Sequence, residues 1–404
     1  MKCEILPSRP NGKVAAPPSK SMAHRYLICG AMGEGSCVRG VSLSRDIEAT
    51  LSCLKALGAY VEYENGCVRI GGFDPRNVPK GASLYAHESG STLRFLIPLC
   101  LLSDREITLT GADRLFERPL DIYENICREK GLLFEKEGSA LKVRGPLTAG
   151  EFFVPGNVSS QFISGLLFAL PMTEGDSIIR ITGDFESASY IDLTLSALRD
   201  FGVDIDHPDE KMFIIHGKAK FRSADITVEG DYSNAAFFEA MNYLGGDVTV
   251  EGLREDSLQG DRVYRDLFEK IKNKDFPIDI SDCPDLAPIL FAVSAAMGEG
   301  HFTGTRRLKI KESDRAEAMR EELSKMGCDV TILENEVLVK CEGLIAPKEN
   351  ISGHNDHRIV MAMATLCTLT GGVIEGCEAV SKSFPDFFGK LSDLGIEVIN
   401  HEDK

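Results

Sequence analysis

The five residues Ala31-Met32-Gly33-Glu34-Gly35 return unchanged at Ala296-Met297-Gly298-Glu299-Gly300. In both places an apolar, helix-forming run precedes them and a short strand-like run follows. An identical segment in an identical context points to a chain built by copying one supersecondary unit. The unit has four parts: a polar or charged opening, a largely apolar helix of about three turns, a glycine turn and a strand. It can be found six times. The openings are Ser19-Lys20-Ser21, Ser91-Thr92-Leu93-Arg94 after Gly90, Ser159-Ser160-Gln161, Asp231-Tyr232-Ser233-Asn234, Asp285-Leu286, and Asn355-Asp356-His357-Arg358. They recur roughly 55 to 70 residues apart. Between them lie amphipathic helices with glycine stops, at residues 46–58, 191–202 and 315–327, each followed by an alternating strand.

Three units on each side of a midpoint near Glu229 predict two similar domains of layered helices and sheets, an α/β fold. The openings matter chemically. The N-terminus of a helix carries free N–H groups and partial positive charge, so each opening favours an anion by roughly 0.3 to 1 kcal/mol. Pro17-Pro18 keeps the first helix from starting earlier and leaves Ser19 or Ser21 to cap it, with Lys20, Ser21 and Arg25 around its first turn. If the openings converge, they make an electropositive pocket; the plain alternative is a duplicated fold whose helices point in unrelated directions.

Such a pocket would sit inside an acidic protein. A formal charge of -17 over 404 residues disfavours nucleic acid and anionic lipid surfaces, which require a positive field, so any anionic ligand is expected to be small and held locally. Hydrophobic residues at 43% and charged residues at 26% fit an ordinary globular chain, and no apolar run is long enough to cross a bilayer. The opening Met1 to Pro7 lacks the apolar core of a secretion signal, so a cytoplasmic location is expected. The twelve cysteines show no CxxC pairing and read as reduced core thiols.

Positive charge is concentrated in a few places. Arg306 to Arg315 packs Arg307, Lys309, Lys311 and Arg315 around Glu312, with Lys311 and Arg315 at a helix start, where cations oppose the dipole and a bound anion would explain them. Arg358, Arg94 and Arg118 stand at or beside other openings, and Lys382 sits in a proline-punctuated loop that also suits a surface residue. Several guanidinium groups from distant units imply a ligand with more than one anionic group. Asp285 and Glu312 are the acids able to move protons among these cations. His354 and His357 have HxxH spacing, but without matching carboxylate or histidine ligands no metal is expected. P-loop, GxGxxG, GxSxG and HExxH patterns are missing, which removes support for ATP-dependent phosphoryl transfer and hydride transfer.

The segments PPSKSMAHR, ESGSTLRFL, ERPL, VSSQFISGLL, SYIDLTLS, EGDYSNAAFF, DCPDLAP, KIKESDR, NDHRIVMA and SKSFPDFF span most of the chain. In that order they resemble the 5-enolpyruvylshikimate-3-phosphate synthase family. The resemblance implies a transferase of the shikimate pathway that moves the enolpyruvyl group of phosphoenolpyruvate to the 5-hydroxyl of shikimate 3-phosphate, releases phosphate and uses no cofactor. It implies two domains of three βαβαββ repeats each, an inside-out barrel arrangement with the active site in the interdomain cleft and closure on binding. The expected domains are 1–18 with 230–404, and 19–229, with crossovers near 18–20 and 229; a monomer is expected.

Carried over by motif, shikimate 3-phosphate would meet Lys20, Ser21, Arg25, Ser159, Ser160, Gln161, Ser187, Asp285, Arg307 and Lys311. Phosphoenolpyruvate would meet Lys20, Gly90, Arg94, Arg118, Gln161, Arg315, Arg358 and Lys382. Proton transfer would fall to Asp285 and Glu312, with Lys20, Lys311 and His357 sharing the work. Glu88 and Arg307 depart from the asparagine found at the matching positions of many or some members. The nearest rival, the sister enzyme acting on UDP-N-acetylglucosamine, typically carries a reactive cysteine in the loop matching Gly111 to Arg118, which here has none. An idle anion-binding protein of the same fold would not need Asp285 and Glu312 among its cations, and an RNA-end-processing enzyme is disfavoured by the acidic charge.

Overall fold

The computed structural model describes residues 1–401. The chain divides into two compact units, one formed by Met1–Pro17 together with the chain from Gly230 onward, the other by Pro18–Glu229. All six expected central helices are present: Lys20–Met32, Gly90–Cys100 and Ser160–Ala169 in the 18–229 unit, and Tyr232–Tyr243, Ala287–Met297 and His357–Thr370 in the other. Five of them start where a side chain closes the first turn. Ser19 accepts from the Met22 amide, Ser89 from Thr92, Ser159 from Gln161, Asp231 from Asn234 and Asp356 from Arg358. The helix at Ala287 instead follows a short 3-10 turn, Pro284–Leu286.

These central helices are buried almost all round, as their near-uniform apolar sequences require; every residue from Ala287 to Ala295 is buried. The second helix of each unit has one apolar face. Tyr264–Asn273, for instance, buries only Tyr264, Leu267, Phe268 and Ile271. Matching helices at Asp121–Lys130, Tyr264–Asn273 and Phe387–Asp393 accompany those expected near 46, 191 and 315.

Among the described residues five four-stranded sheets share one strand arrangement: a parallel pair, one strand of which also pairs with the inner strand of an antiparallel pair. The strand order Ser83–Tyr85, Ile107–Thr110, Ala140–Arg144, Leu133–Glu137 is typical. Some partners come from far along the chain. Asp225–Thr227 lies parallel to Ser36–Arg39, and Lys2–Ile5 sits between Gly372–Glu375 and Val398–His401. The sixth sheet has only two strands, Asn11–Ala15 beside Asp247–Glu251. After Tyr264–Asn273 the chain passes straight to Ile278–Asp279 without the hairpin seen elsewhere. None of these small sheets closes on itself.

One packing detail sets up chemistry in the 18–229 unit. Pro98 lies inside Gly90–Cys100 and has no N–H, so the Arg94 carbonyl four residues earlier loses its helical partner. The Tyr123 hydroxyl supplies it, donating to Arg94 O at 2.8 Å. Gly165 of the neighbouring helix faces this point, and a Cβ there would lie 2.3 Å from the Tyr123 oxygen and 2.5 Å from Arg94 O. Glycine thus lets the two helices approach closely enough to hold Arg94 from both sides.

Candidate active site

In the 18–229 unit the first helix presents Lys20 at its start, where Nζ meets Asp46 Oδ2 at 2.7 Å, and Ser21 beside it. Arg25, one turn on, is buried and tightly held. Its Nε donates to Thr194 Oγ1 at 2.9 Å, Nη1 to the Ser21 carbonyl at 2.7 Å and Nη2 to the Tyr190 carbonyl at 2.8 Å, and its guanidinium lies 5.2 Å from the centre of the Phe95 ring. Burial lowers its pKa to about 10, still well above neutrality. Ser187 precedes helix Ala188–Asp200, which carries Tyr190 and Thr194, and is held in the left-handed region at φ 59°.

A second group in that unit joins Arg94, Gln161, Gly90 and Arg118. Arg94 Nη1 donates to Gln161 Oε1 at 2.8 Å and Nη2 to the Pro119 carbonyl at 2.9 Å, while Gln161 Nε2 donates to Ser91 Oγ at 3.0 Å. Burial first, and then the charge of Arg118, pushes the Arg94 pKa well below its ordinary value. Arg118 lies over Gly90 so closely that a Cβ on that glycine would be 2.6 Å from Nη1. Ser159 caps the helix that carries Ser160 and Gln161.

In the other unit three cations converge on one carboxylate. Asp285 Oδ1 accepts from Lys311 Nζ at 3.1 Å and Arg315 Nη1 at 2.8 Å; Oδ2 faces Arg358 Nη2 at 3.3 Å, and Arg358 Nη1 reaches the Asp285 carbonyl at 3.1 Å. Burial pushes the Asp285 carboxyl up, but Arg358, Lys311 and Arg315 together outweigh it and hold it well below the usual carboxylate range. Burial lowers Lys311 to about 8 despite the opposing pull of Asp285. Behind this group Asp356, fully buried, accepts from Arg315 Nε at 2.8 Å and from Ser313 Oγ at 3.1 Å while capping its own helix.

Glu312 stands next to it. Its Oε2 lies 2.9 Å from His357 Nδ1 and 3.9 Å from Lys382 Nζ, and Lys382 donates to the Asn355 carbonyl. Lys382 is buried, so its reading as a surface residue is overturned: packing of the short turn Cys377–Lys382 carries its ammonium inward. His354 and His357 do not share a ligand set, since His354 Nε2 turns to Glu322 at 2.7 Å. Arg307 is buried and donates to the Ser281 carbonyl. Sequence reasoning missed Asp46, Thr194, Tyr190 and the pairing role of Asp356. Asp46 and Asp356 each fall in the first turn or at the cap of a helix beside a basic partner, which is the signal that marks them.

All three groups thus offer fixed cations for multiply charged anions, and the one around Asp285 pairs them with two carboxylates able to carry protons, Asp285 and Glu312. The family model for EPSP synthase (3-phosphoshikimate 1-carboxyvinyltransferase) matches residues 6–391. The chain belongs to this family. The family's members are transferases that move the enolpyruvyl group of phosphoenolpyruvate to shikimate 3-phosphate in aromatic biosynthesis. Curated relatives named 3-phosphoshikimate 1-carboxyvinyltransferase include one from Clostridium kluyveri, 41% identical over 422 residues, covering 98% of this chain and 97% of the relative. Another, from Clostridium novyi, is 40% identical over 426 residues with 97% of each covered. Among solved structures, EPSP synthase from Acinetobacter baumannii superposes with a TM-score of 0.79 at 25% identity, covering 99% of this chain and 100% of that one. The enolpyruvyl transferase NikO from Streptomyces tendae shares the fold, with a TM-score of 0.74 at 13% identity and 98% of each chain covered. No described helix is long and apolar enough to cross a membrane.

Proposed function

We propose that this EPSP synthase family member acts with these three groups of side chains on one pair of substrates, shikimate 3-phosphate and phosphoenolpyruvate. The observation that supports this reading best is Asp285 held by Lys311, Arg315 and Arg358 next to the Glu312–His357 pair. Such a carboxylate is ionised but a weak base, because three cations stabilise its charge. An incoming substrate anion takes over Arg315 and Arg358, and the proton affinity of Asp285 rises as it loses them. Asp285 then accepts the proton of the 5-hydroxyl as its oxygen bonds to C2 of phosphoenolpyruvate. Glu312, oriented by His357 and close to Lys382, gives a proton to the methylene carbon, which makes a tetrahedral intermediate. Glu312, now a carboxylate, takes back a proton from the methyl group as the C–O bond to phosphate breaks, and Asp285 gives its proton to the departing phosphate, which restores the double bond and both acids.

Arg94, Arg118, Gln161, Gly90, Lys20, Arg315, Arg358 and Lys382 would hold phosphoenolpyruvate. Ser21, Arg25, Ser159, Ser160, Gln161, Ser187, Arg307, Lys311 and Lys20 would hold the shikimate ligand. The functional domains in this reading are 1–18 with 230–404, and 19–229, acting in the cytoplasm as a monomer, which sedimentation at working concentration checks. The deciding assay is phosphate release from phosphoenolpyruvate with either shikimate 3-phosphate or UDP-N-acetylglucosamine. Release with the first alone is the expected outcome, and release with only the second would overturn the reading.

A further inference from the structure

Twelve cysteines are present and all are free thiols, yet one pair stands apart. Cys328 and Cys341 flank the hairpin Asp329–Ile332 and Glu336–Lys340, with their sulfurs 2.7 Å apart. Asp329 is opposite Lys340 in the antiparallel register, so Cys328 and Cys341 are the next facing pair outward. The hydrogen-bond alternation fixes what kind of pair they are. Leu333 N donates to Glu336 O, making that pair hydrogen-bonded; counting outward in steps of two reaches 331/338 and 329/340 and leaves 328/341 as a non-hydrogen-bonded pair. The amides agree, since Cys328 N donates to Leu323 O and Cys341 N to Gly298 O rather than to each other. In such pairs the side chains stand closest and point the same way, which is the arrangement a cross-strand disulfide needs.

The other neighbouring thiols lack this arrangement. Cys37 is opposite Arg69 and Cys67 opposite Arg39, so those two cysteines are diagonal. Cys3 is opposite Ile374, with Cys377 three residues further on, and each thiol has another acceptor: Asn400 Oδ1 for Cys3 and the Ile374 carbonyl for Cys377.

We propose that Cys328 and Cys341 form a redox modification site, a dithiol that hydrogen peroxide converts to an intramolecular disulfide. One thiol, after losing its proton, attacks a peroxide oxygen; the O–O bond breaks, and the products are a sulfenic acid and one water. The second thiol attacks the sulfenic sulfur, the S–S bond forms and a second water leaves. The two sulfurs together give up two electrons, and the peroxide is reduced to two waters. Both residues are less than a tenth exposed, so a small oxidant is required and the reaction waits on local opening of the hairpin. The site is remote from the chemistry. Cys328 follows the C-terminal end of helix Arg315–Lys325, and Gly298, the partner of the Cys341 amide, caps the C-terminal end of Ala287–Met297. Arg315 and Asp285 lie at the opposite ends of these helices, about 16 Å away along eleven residues.

The test is peptide mapping of the full-length protein after treatment with excess hydrogen peroxide and blocking of the remaining thiols. Trypsin cuts after Lys325, Lys340 and Lys348, placing Cys328 in peptide 326–340 and Cys341 in peptide 341–348. The expected product is these two peptides joined, two hydrogens lighter than their sum and separated again by dithiothreitol. Thiol titration should fall from twelve to ten, with turnover within about twofold of the untreated enzyme. Recovery of both peptides with blocked thiols, as sulfinic or sulfonic acids, or joined to other cysteines would overturn the proposal. Cys341→Ala should abolish the joined product, and if that variant fails to fold, the wild-type peptide map decides alone.

Discussion

Replacing Asp356 with asparagine separates two jobs done by one side chain. The carboxylate is fully buried, pairs with the buried Arg315 and accepts from the Arg358 amide as helix cap. Asparagine caps as well as aspartate, so Asp356→Asn keeps the cap and removes only the charge. Breaking a buried ion pair from one side costs about 3 to 5 kcal/mol. Arg315 keeps Asp285 as a partner, which places the expected loss at the lower end, about 3 kcal/mol. Asp356→Ala should lose about 1 kcal/mol more, the worth of the cap. Hydrogen exchange read on peptides from Ala287–Met297 and His357–Thr370 is the suitable assay, because it reports this unit apart from the rest of the chain. A loss of about 3 kcal/mol raises exchange through global opening of the unit roughly a hundredfold. The sign with pH follows from the carboxyl, which burial pushes up and Arg315 pulls down to a net depressed value. Its contribution is fully present above the unfolded pKa and is lost as pH falls through the folded value. The gap between wild type and Asp356→Asn should therefore hold from pH 7 to about 5 and narrow below about 4. Less than a fivefold change in exchange at pH 7, or a gap that widens on acidification, would refute this account of the pair.

Four further outcomes are expected. Asp285→Ala and Glu312→Gln should each lower turnover by about 10² to 10⁴ with the fold intact, as steady-state phosphate release and circular dichroism will show. Lys311 is charged below about 8 and neutral above it, so kcat/KM should decline as pH rises through that value. Lys311→Arg should move the alkaline limb upward even if the overall rate drops, and an unmoved limb would remove Lys311 from the profile. Gly90→Ala displaces the flexible end of Arg118 rather than backbone. Its stability should change by less than about 1 kcal/mol, while KM for phosphoenolpyruvate rises about tenfold. Tyr123→Phe leaves the Arg94 carbonyl beside Pro98 without its donor, and urea titration should show a loss of about 1 to 3 kcal/mol.

Five of the six helix starts were legible because each combines local signals: a capping hydroxyl or carboxylate, no proline in the first turn, and an apolar run; the start at Ala287, with Pro288 in its first turn and no capping side chain, was legible from its apolar run. Helix Asp121–Lys130 escaped because its apolar face is thin, with Ile122, Tyr123, Ile126 and Cys127 buried among charged neighbours. Pairings such as Asp225–Thr227 with Ser36–Arg39 join segments far apart in the chain, and nothing within either segment encodes its partner. The missing hairpin after Asn273 is likewise an absence that a repeat pattern glosses over. In the candidate site the cations were visible as a set, since lysine and arginine at a helix start lack a local reason to be there. Their partners were less visible. Asp356 reads as a cap and no more until the fold brings Arg315 to it, and the donors of Arg25 are taken up by Ser21, Tyr190 and Thr194, two of them on a helix more than 160 residues away.

The placement of Lys2–Ile5 between Gly372–Glu375 and Val398–His401 bears on how the protein is made. Lys2–Ile5 is translated long before both of its neighbours, while residues 18–229 contain every strand that their own sheets need. On a ribosome adding about 5 to 20 residues per second, the middle of the chain can fold while Lys2–Ile5 waits roughly 20 to 70 seconds for its partners. That waiting strand is short and carries lysine and glutamate on alternate positions, Lys2 and Glu4, with Cys3 and Ile5 facing inward once paired. Charge on an unpaired edge discourages pairing with other chains, so the composition of four residues guards the interval before the strand's partners are made.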